Sequence, residues 1–270
     1  MIAGKTWREV RLMGFAYLVI LELLAIPVIL WWPDIYGDLQ RSTFFQGFQV
    51  DLVKRIIEGV TDRDEDIAYL NWVAVMLFFR STNLVGVAAA VLLGTGLFAR
   101  ERENQTLESL LARPVSRGHI LWHKVWPCAL TVTLPIFVVN ASALYWSDVI
   151  EFGLPPWELL LASVHAAAFV LCFLMATVWL SVICRVQAHV AAFVGAFAVL
   201  QIGVYLTQRI RQFSLFHIAD FEWYGPILSG NTPAWQMFDP IRGHGFTTYL
   251  LLGAALFYGL AWRALRRAEP

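Results

Sequence analysis

Charge is scarce in this sequence. Only 15% of its 270 residues are Asp, Glu, Lys or Arg, where a soluble domain carries about 25%. That excludes a chain whose whole surface meets water. Acidic and basic residues balance at 20 each, and no nucleic-acid partner is expected. Cysteine is scarce too. Cys128, Cys172 and Cys184 lie in or beside apolar runs, so no disulfide framework is implied and they read as small core residues. A phosphate loop is missing. The only similar text is Gly4-Lys5-Thr6, and three residues before it leave no room for the strand and the upstream glycine that wrap phosphate. Metal-site patterns are missing as well. His119 and His123 stand four apart but enclose Ile-Leu-Trp, without the glutamate of a zinc protease. His165 and His189 lie at opposite ends of apolar runs, at different expected depths, so one haem cannot join them within a subunit. No internal repeat of the kind many secondary transporters carry is present. The first apolar run has no cleavage site and reads as a retained anchor.

What the sequence has in quantity is hydrophobic residue. These make up 59% of the chain, with 14% aromatic and a mean hydropathy of +0.61. Apolar runs of about 20 residues recur, and in hydrocarbon the backbone must satisfy itself as helix. The sequence therefore predicts an all-α polytopic membrane protein forming a single domain over residues 1–270. Its six spans are expected at about 12–31, 81–99, 125–146, 160–183, 188–206 and 247–262. The second apolar region starts near Leu70 and is too long for one untilted span, so its first turns are expected outside the bilayer.

Lys and Arg set the orientation. Lys5, Arg8, Arg11, Arg100, Arg102, Arg113, Arg117, Lys124, Arg185, Arg263, Arg266 and Arg267 fall on one side, which puts both termini in the cytoplasm. Most acids fall on the other. Trp31, Trp32, Trp146 and Trp157 are expected at the outer interface, and Trp122, Trp126 and Trp262 at the inner one. The stretch Lys5–Met13 either lies along the inner surface or is an ordinary positive flank. Outside, residues 44–60 carry an amphipathic pattern, expected to cap the external mouth or rest on the membrane. Residues 207–246 are too broken to span and are expected to re-enter partway.

The largest interruption on the cytoplasmic side is FARERENQTLESLLARPVSRGHILWHK, residues 98–124. Leu107, Leu110 and Leu111 share a helical face. Pro114 ends that helix, and Ser116 caps the next. Two readings stand. Either the leucines form an exposed ridge that docks into a groove on another protein, or the loop folds back and packs them on the spans.

This stretch resembles the signature of ABC-2-type permeases, the membrane subunits of ATP-binding-cassette exporters. Phe98, Ala99, Glu101 and Arg102 match its first part. Thr106, Leu107, Glu108, Leu110 and Leu111 match its second. Pro114, Ser116, Arg117 and Lys124 match its third. Gln105 stands where the family usually has Gly, and Arg113 where an apolar residue is common. The resemblance implies that the loop couples to a separate ATP-binding subunit, with a weak second contact at Arg185. It implies two ATPase copies and a second permease subunit, identical or related, around a central path in a bacterial-type inner membrane. This chain would bind no cofactor and hydrolyse nothing. ATP and Mg would sit on the partner.

Glu22, Asn83, Asn140 and Gln201 fall inside spans. A charge at the depth of Glu22 costs about 3 kcal/mol, so it is expected to face the bundle, a cavity or a partner. It either serves a proton or a cationic group, or hydrogen-bonds Gln201 or Thr133. The amides line a path or bond between helices. Two other readings remain open here, a proton-coupled secondary transporter using Glu22 and a haem-binding electron-transfer protein.

Overall fold

In a computed structural model the chain forms a bundle of helices, described over residues 2–41, 51–62, 64–107, 109 and 114–267. The helices are α1 (Ile2–Leu30), α2 (Trp32–Arg41), α3 (Asp51–Val60), α4 (Glu65–Val73), α5 (Gly86–Thr95) and α6 (Ala99–Glu103). Then follow α7 (Arg117–Val149), α8 (Pro156–Ile183), α9 (Gln187–Leu206), α10 (Leu215–Ile218), α11 (Phe221–Leu228), α12 (Ala234–Phe238) and α13 (Phe246–Arg267). A π-helical segment, Ala74–Val85, joins α4 to α5. Among the described residues no strand occurs. Six helices are long and apolar enough to cross a membrane.

The second of these extends from Glu65 to Glu103, 39 residues, with a turn at 96–98 before its last helical piece. As a straight α-helix it would measure about 60 Å, roughly twice the hydrocarbon thickness. Its π segment widens the helix where Ser81 Oγ donates to Met76 O and Thr82 Oγ1 to Leu77 O, both five residues back.

Helix α8 is the centre of the bundle. It packs on α13, α5 and α7, while α1 lies along α7. Glycines let α5 close on α8. A Cβ on Gly86 would stand 2.6 Å from Val170, and one on Gly94 would stand 2.8 Å from Thr177. Within its most apolar stretch α8 is 67% buried, but α9 only 17%. α9 therefore leans on the bundle by a narrow stripe, Val190, Val194 and Tyr205.

At one end of the bundle Trp32 is fully buried among Tyr36, Tyr69, Trp72 and Phe152. This corrects the expectation that Trp32 marks an interface. Trp31 and Trp157 do remain exposed. Trp72 Nε1 donates to Val28 O at 2.8 Å, satisfying a carbonyl near the C-terminal end of α1.

The segment between α9 and α13 folds into the same end as short helices. Tyr224 stacks on Phe78 of the π segment, ring centroids 4.7 Å apart. Asn83 Nδ2 donates to Ala219 O, and His165 Nε2 donates to Ile218 O. Those bonds satisfy irregular backbone that burial would otherwise leave unpaired. The expected amphipathic stretch 44–60 is helical over Asp51–Val60; residues 42–50 lie outside the described residues.

Candidate functional site

The loop between the second and third spanning helices begins with a break. After Thr95 the chain turns before restarting as α6. The amides freed there do not go unpaired. Phe98 N and Ala99 N both donate to Ser181 Oγ on α8 at 3.0 Å, and Ser181 Oγ donates to Thr95 O at 3.0 Å. One hydroxyl thus fixes the angle between α5 and α6.

The motif side chains tighten the same joint. Arg102 Nη1 donates to Ile183 O at 3.2 Å and Cys184 O at 3.0 Å. A guanidinium there caps the C-terminal carbonyls of α8 and meets the negative end of its dipole. Glu101 Oε2 lies 2.7 Å from Lys124 Nζ on α7. The two form an ion pair. Lys124 Nζ also donates to Leu97 O at 2.7 Å and lies 5.0 Å from the Phe98 ring centroid. Lys5 of α1 stands 3.8 Å from Glu101. Thr106 closes the following turn, its N and Oγ1 donating to Glu101 O. Ser116 caps α7, accepting from His119 N at 3.2 Å.

Glu101, Arg102, Thr106 and Lys124 are therefore brought together as a brace tying α5–α6 to α1, α7 and α8, while Ser116 serves as the cap of α7. Leu107 corrects the exposed-ridge reading at its own position. It is 5% exposed and packs in the main core, because its face turns towards the spans. Glu108, Leu110 and Leu111 lie outside the described residues. Pro114 and Arg185 are exposed, and Arg117 is half-buried with no partner for its Nη1. Glu103, Asn104, Ser109 and Val115 are exposed beside them. Sequence reading missed Ser181. It lies about 80 residues from the motif in an apolar run, and no spacing links the two.

The four intramembrane polar residues do not meet. Glu22 accepts from Ser142 Oγ of α7 at 2.8 Å, not from Gln201 or Thr133 as expected. Thr133 Oγ1 donates to Ala129 O within its own helix. Gln201 Oε1 accepts from Leu215 N, and Gln201 O from Ser214 Oγ. Asn140 Nδ2 donates to Ser163 Oγ at 2.7 Å. Asn83 pairs with Tyr224 and Ala219 O. Each joins two elements, so the amides bond between segments and do not line one shared path. Both nitrogens of His165 are engaged, Nδ1 with Thr247 Oγ1 and Nε2 with Ile218 O, which leaves neither for a haem iron.

A second charged cluster went unnoticed in the sequence. Asp220, fully buried, accepts from Tyr205 OH and from Arg211 Nη2, both at 2.7 Å. Glu222 pairs with both Arg211 and Arg55. Burial pushes the Asp220 carboxyl up to about 6, although Tyr205 donates to it and Arg55 lies near.

Among curated proteins no sequence matches the chain. A family model described as ABC-2 family transporter protein matches residues 2–211, taking in the first five spanning helices and the whole brace. With six spanning helices around that loop, the chain belongs to the ABC-2 family of transporters and is a membrane permease component of an ATP-binding-cassette system.

Proposed function

We propose that this chain is the permease half of an exporter, driven by a separate ATPase that docks on the braced loop between the second and third spans. The observation that carries this is the brace. Ser181, Arg102 and the Glu101–Lys124 pair fasten the loop to two spans, α7 and α8. A push on the loop therefore moves helices instead of being absorbed by a flexible turn. Two permease chains would face each other, with two ATPase copies holding ATP and Mg. Export follows the family resemblance. The clustering of Lys and Arg on the loop side supports the reading that this side, and both termini, face the cytoplasm across a bacterial-type inner membrane. Glu22 is assigned to helix packing, since Ser142 satisfies it.

With Leu107 buried, docking falls to the exposed positions beside it. The test extracts the protein from its native membrane in mild detergent, as wild type and as Ser109→Arg/Val115→Asp. Wild type is expected to bring down an ATP-binding chain in equal amount and to hydrolyse ATP. The variant is expected to lose most of both while unfolding at the same temperature. Recovery of this chain alone from wild type, or unchanged hydrolysis in the variant, sinks the reading.

A further inference from the structure

A cavity of about 330 Å³ lies between α1, the end of α5, α6 and the start of α7, within the size range of small-molecule sites, about 300–1,000 Å³. Its two ends differ in chemistry. Towards the charged loop it is lined by Lys5, Glu9, Arg100, Glu101 and Lys124. Towards the middle of the bundle it is lined by Val10, Met13, Leu92 and Leu93. The gradient follows chain order. On α1 the charged residues precede the apolar ones by a turn or two, and on α5–α6 they follow them. In a spanning bundle this sets the apolar half at the depth of acyl tails and the charged half at the membrane surface. The shape suits an amphiphile.

The sign of its head follows from which cations are already committed. Lys124 is held by Glu101 and by Leu97 O. Lys5 stands 3.8 Å from both Glu9 and Glu101, beyond hydrogen-bond distance, so its donors stay available. Arg100 is exposed and makes no side-chain hydrogen bond or ion pair among the described residues. Three cations stand against two carboxylates at this end of the cavity, and the two cations with spare donors, Lys5 and Arg100, both line it. A cationic head would meet net repulsion there. An anionic head meets two charged donors.

We propose that this cavity binds a membrane amphiphile with one acidic head, a carboxylate or a phosphate monoester, held by Lys5 and Arg100 with its apolar part against Met13, Leu92 and Leu93. The site needs only the spanning bundle. It does not depend on the ATPase or on the direction of transport, so it stands or falls separately from them.

The experiment reconstitutes the full chain in phosphatidylcholine nanodiscs and adds diazirine-bearing palmitate, lysophosphatidic acid or hexadecanol, then maps the labelled peptides. The two acidic probes are expected to label peptides containing Met13 or Leu92–Leu97, with neutral hexadecanol labelling them about tenfold less. Lys5→Gln/Arg100→Gln is expected to lose acidic-probe labelling to a similar degree. Arg100→Lys retains it, which separates lost charge from lost fold, and Leu92→Trp abolishes it by filling the apolar end. Equal labelling by hexadecanol overturns the proposal, as does labelling unchanged in the double variant. Displacement of lysophosphatidic acid by inorganic phosphate alone would assign the rim to a soluble anion and also overturn it.

Discussion

Gln105 holds its backbone at φ 55°, a left-handed conformation that crowds any Cβ against the next carbonyl. The motif it resembles has glycine there, and the turn after α6 shows why glycine fits. Gln105→Gly is expected to raise stability by about 0.5–1 kcal/mol, the relieved strain outweighing the greater freedom of glycine in the unfolded chain. A lower denaturation midpoint for that variant would contradict this. The Glu101–Lys124 pair makes a second prediction. Lys124→Met leaves a mostly buried carboxylate without its partner and is expected to cost about 3–5 kcal/mol. Lys124→Met/Glu101→Gln should recover more than half of that, measured as a double-mutant cycle by thermal unfolding. Equal losses in the single and double variants would show that the pair is not coupled. The sequence identified Glu101, Arg102 and Lys124 as important residues. It did not tell that their charges are spent inward, because the α8 carbonyls and Ser181 arrive from about 80 residues away.

At the scale of elements, the segment between α9 and α13 is held by two kinds of contact. One is the polar pairing of Asn83 and His165 with its backbone. The other is the Tyr205–Asp220–Arg211 cluster. The second responds to pH. The folded carboxyl of Asp220 keeps its proton up to about 6, against an ordinary value of 3.8, so between those values the folded form binds more protons than the unfolded one. Its contribution, on the order of 3 kcal/mol, is full below about pH 4 and is lost as pH rises through 6. Hydrogen-exchange protection of residues 215–228 is therefore expected to fall from pH 4.5 to 7.5, and Asp220→Asn is expected to flatten that slope. Parallel slopes in the two proteins would refute it. The broken character of this segment was legible from its Gly and Pro. Its docking partner was not, since the π segment that receives Tyr224 reads in sequence as one more apolar run.

Over the whole molecule, α9 is the least covered of the six spanning helices. It exposes Phe193, Phe197, Val199, Leu200 and Leu206, while its first turn stays near the brace through Gln187 Nε2 and Thr95 Oγ1, 3.4 Å apart. A paired permease is therefore expected to lie against α9. In a background lacking Cys128, Cys172 and Cys184, Gly195→Cys should give an oxidised dimer, and Leu252→Cys on the exposed face of α13 should not. A dimer from Leu252→Cys alone would move the interface. The six apolar runs and the charged interruption were determined by the sequence itself, because helix in hydrocarbon is a local requirement that a window of about 20 residues satisfies or fails. The fully buried Trp32, the inward turn of Leu107 and the pairing of Glu22 with Ser142 were decided only by tertiary structure. In an apolar helix every face is hydrophobic, periodicity no longer marks the inside, and only the neighbouring helix determines which side is covered.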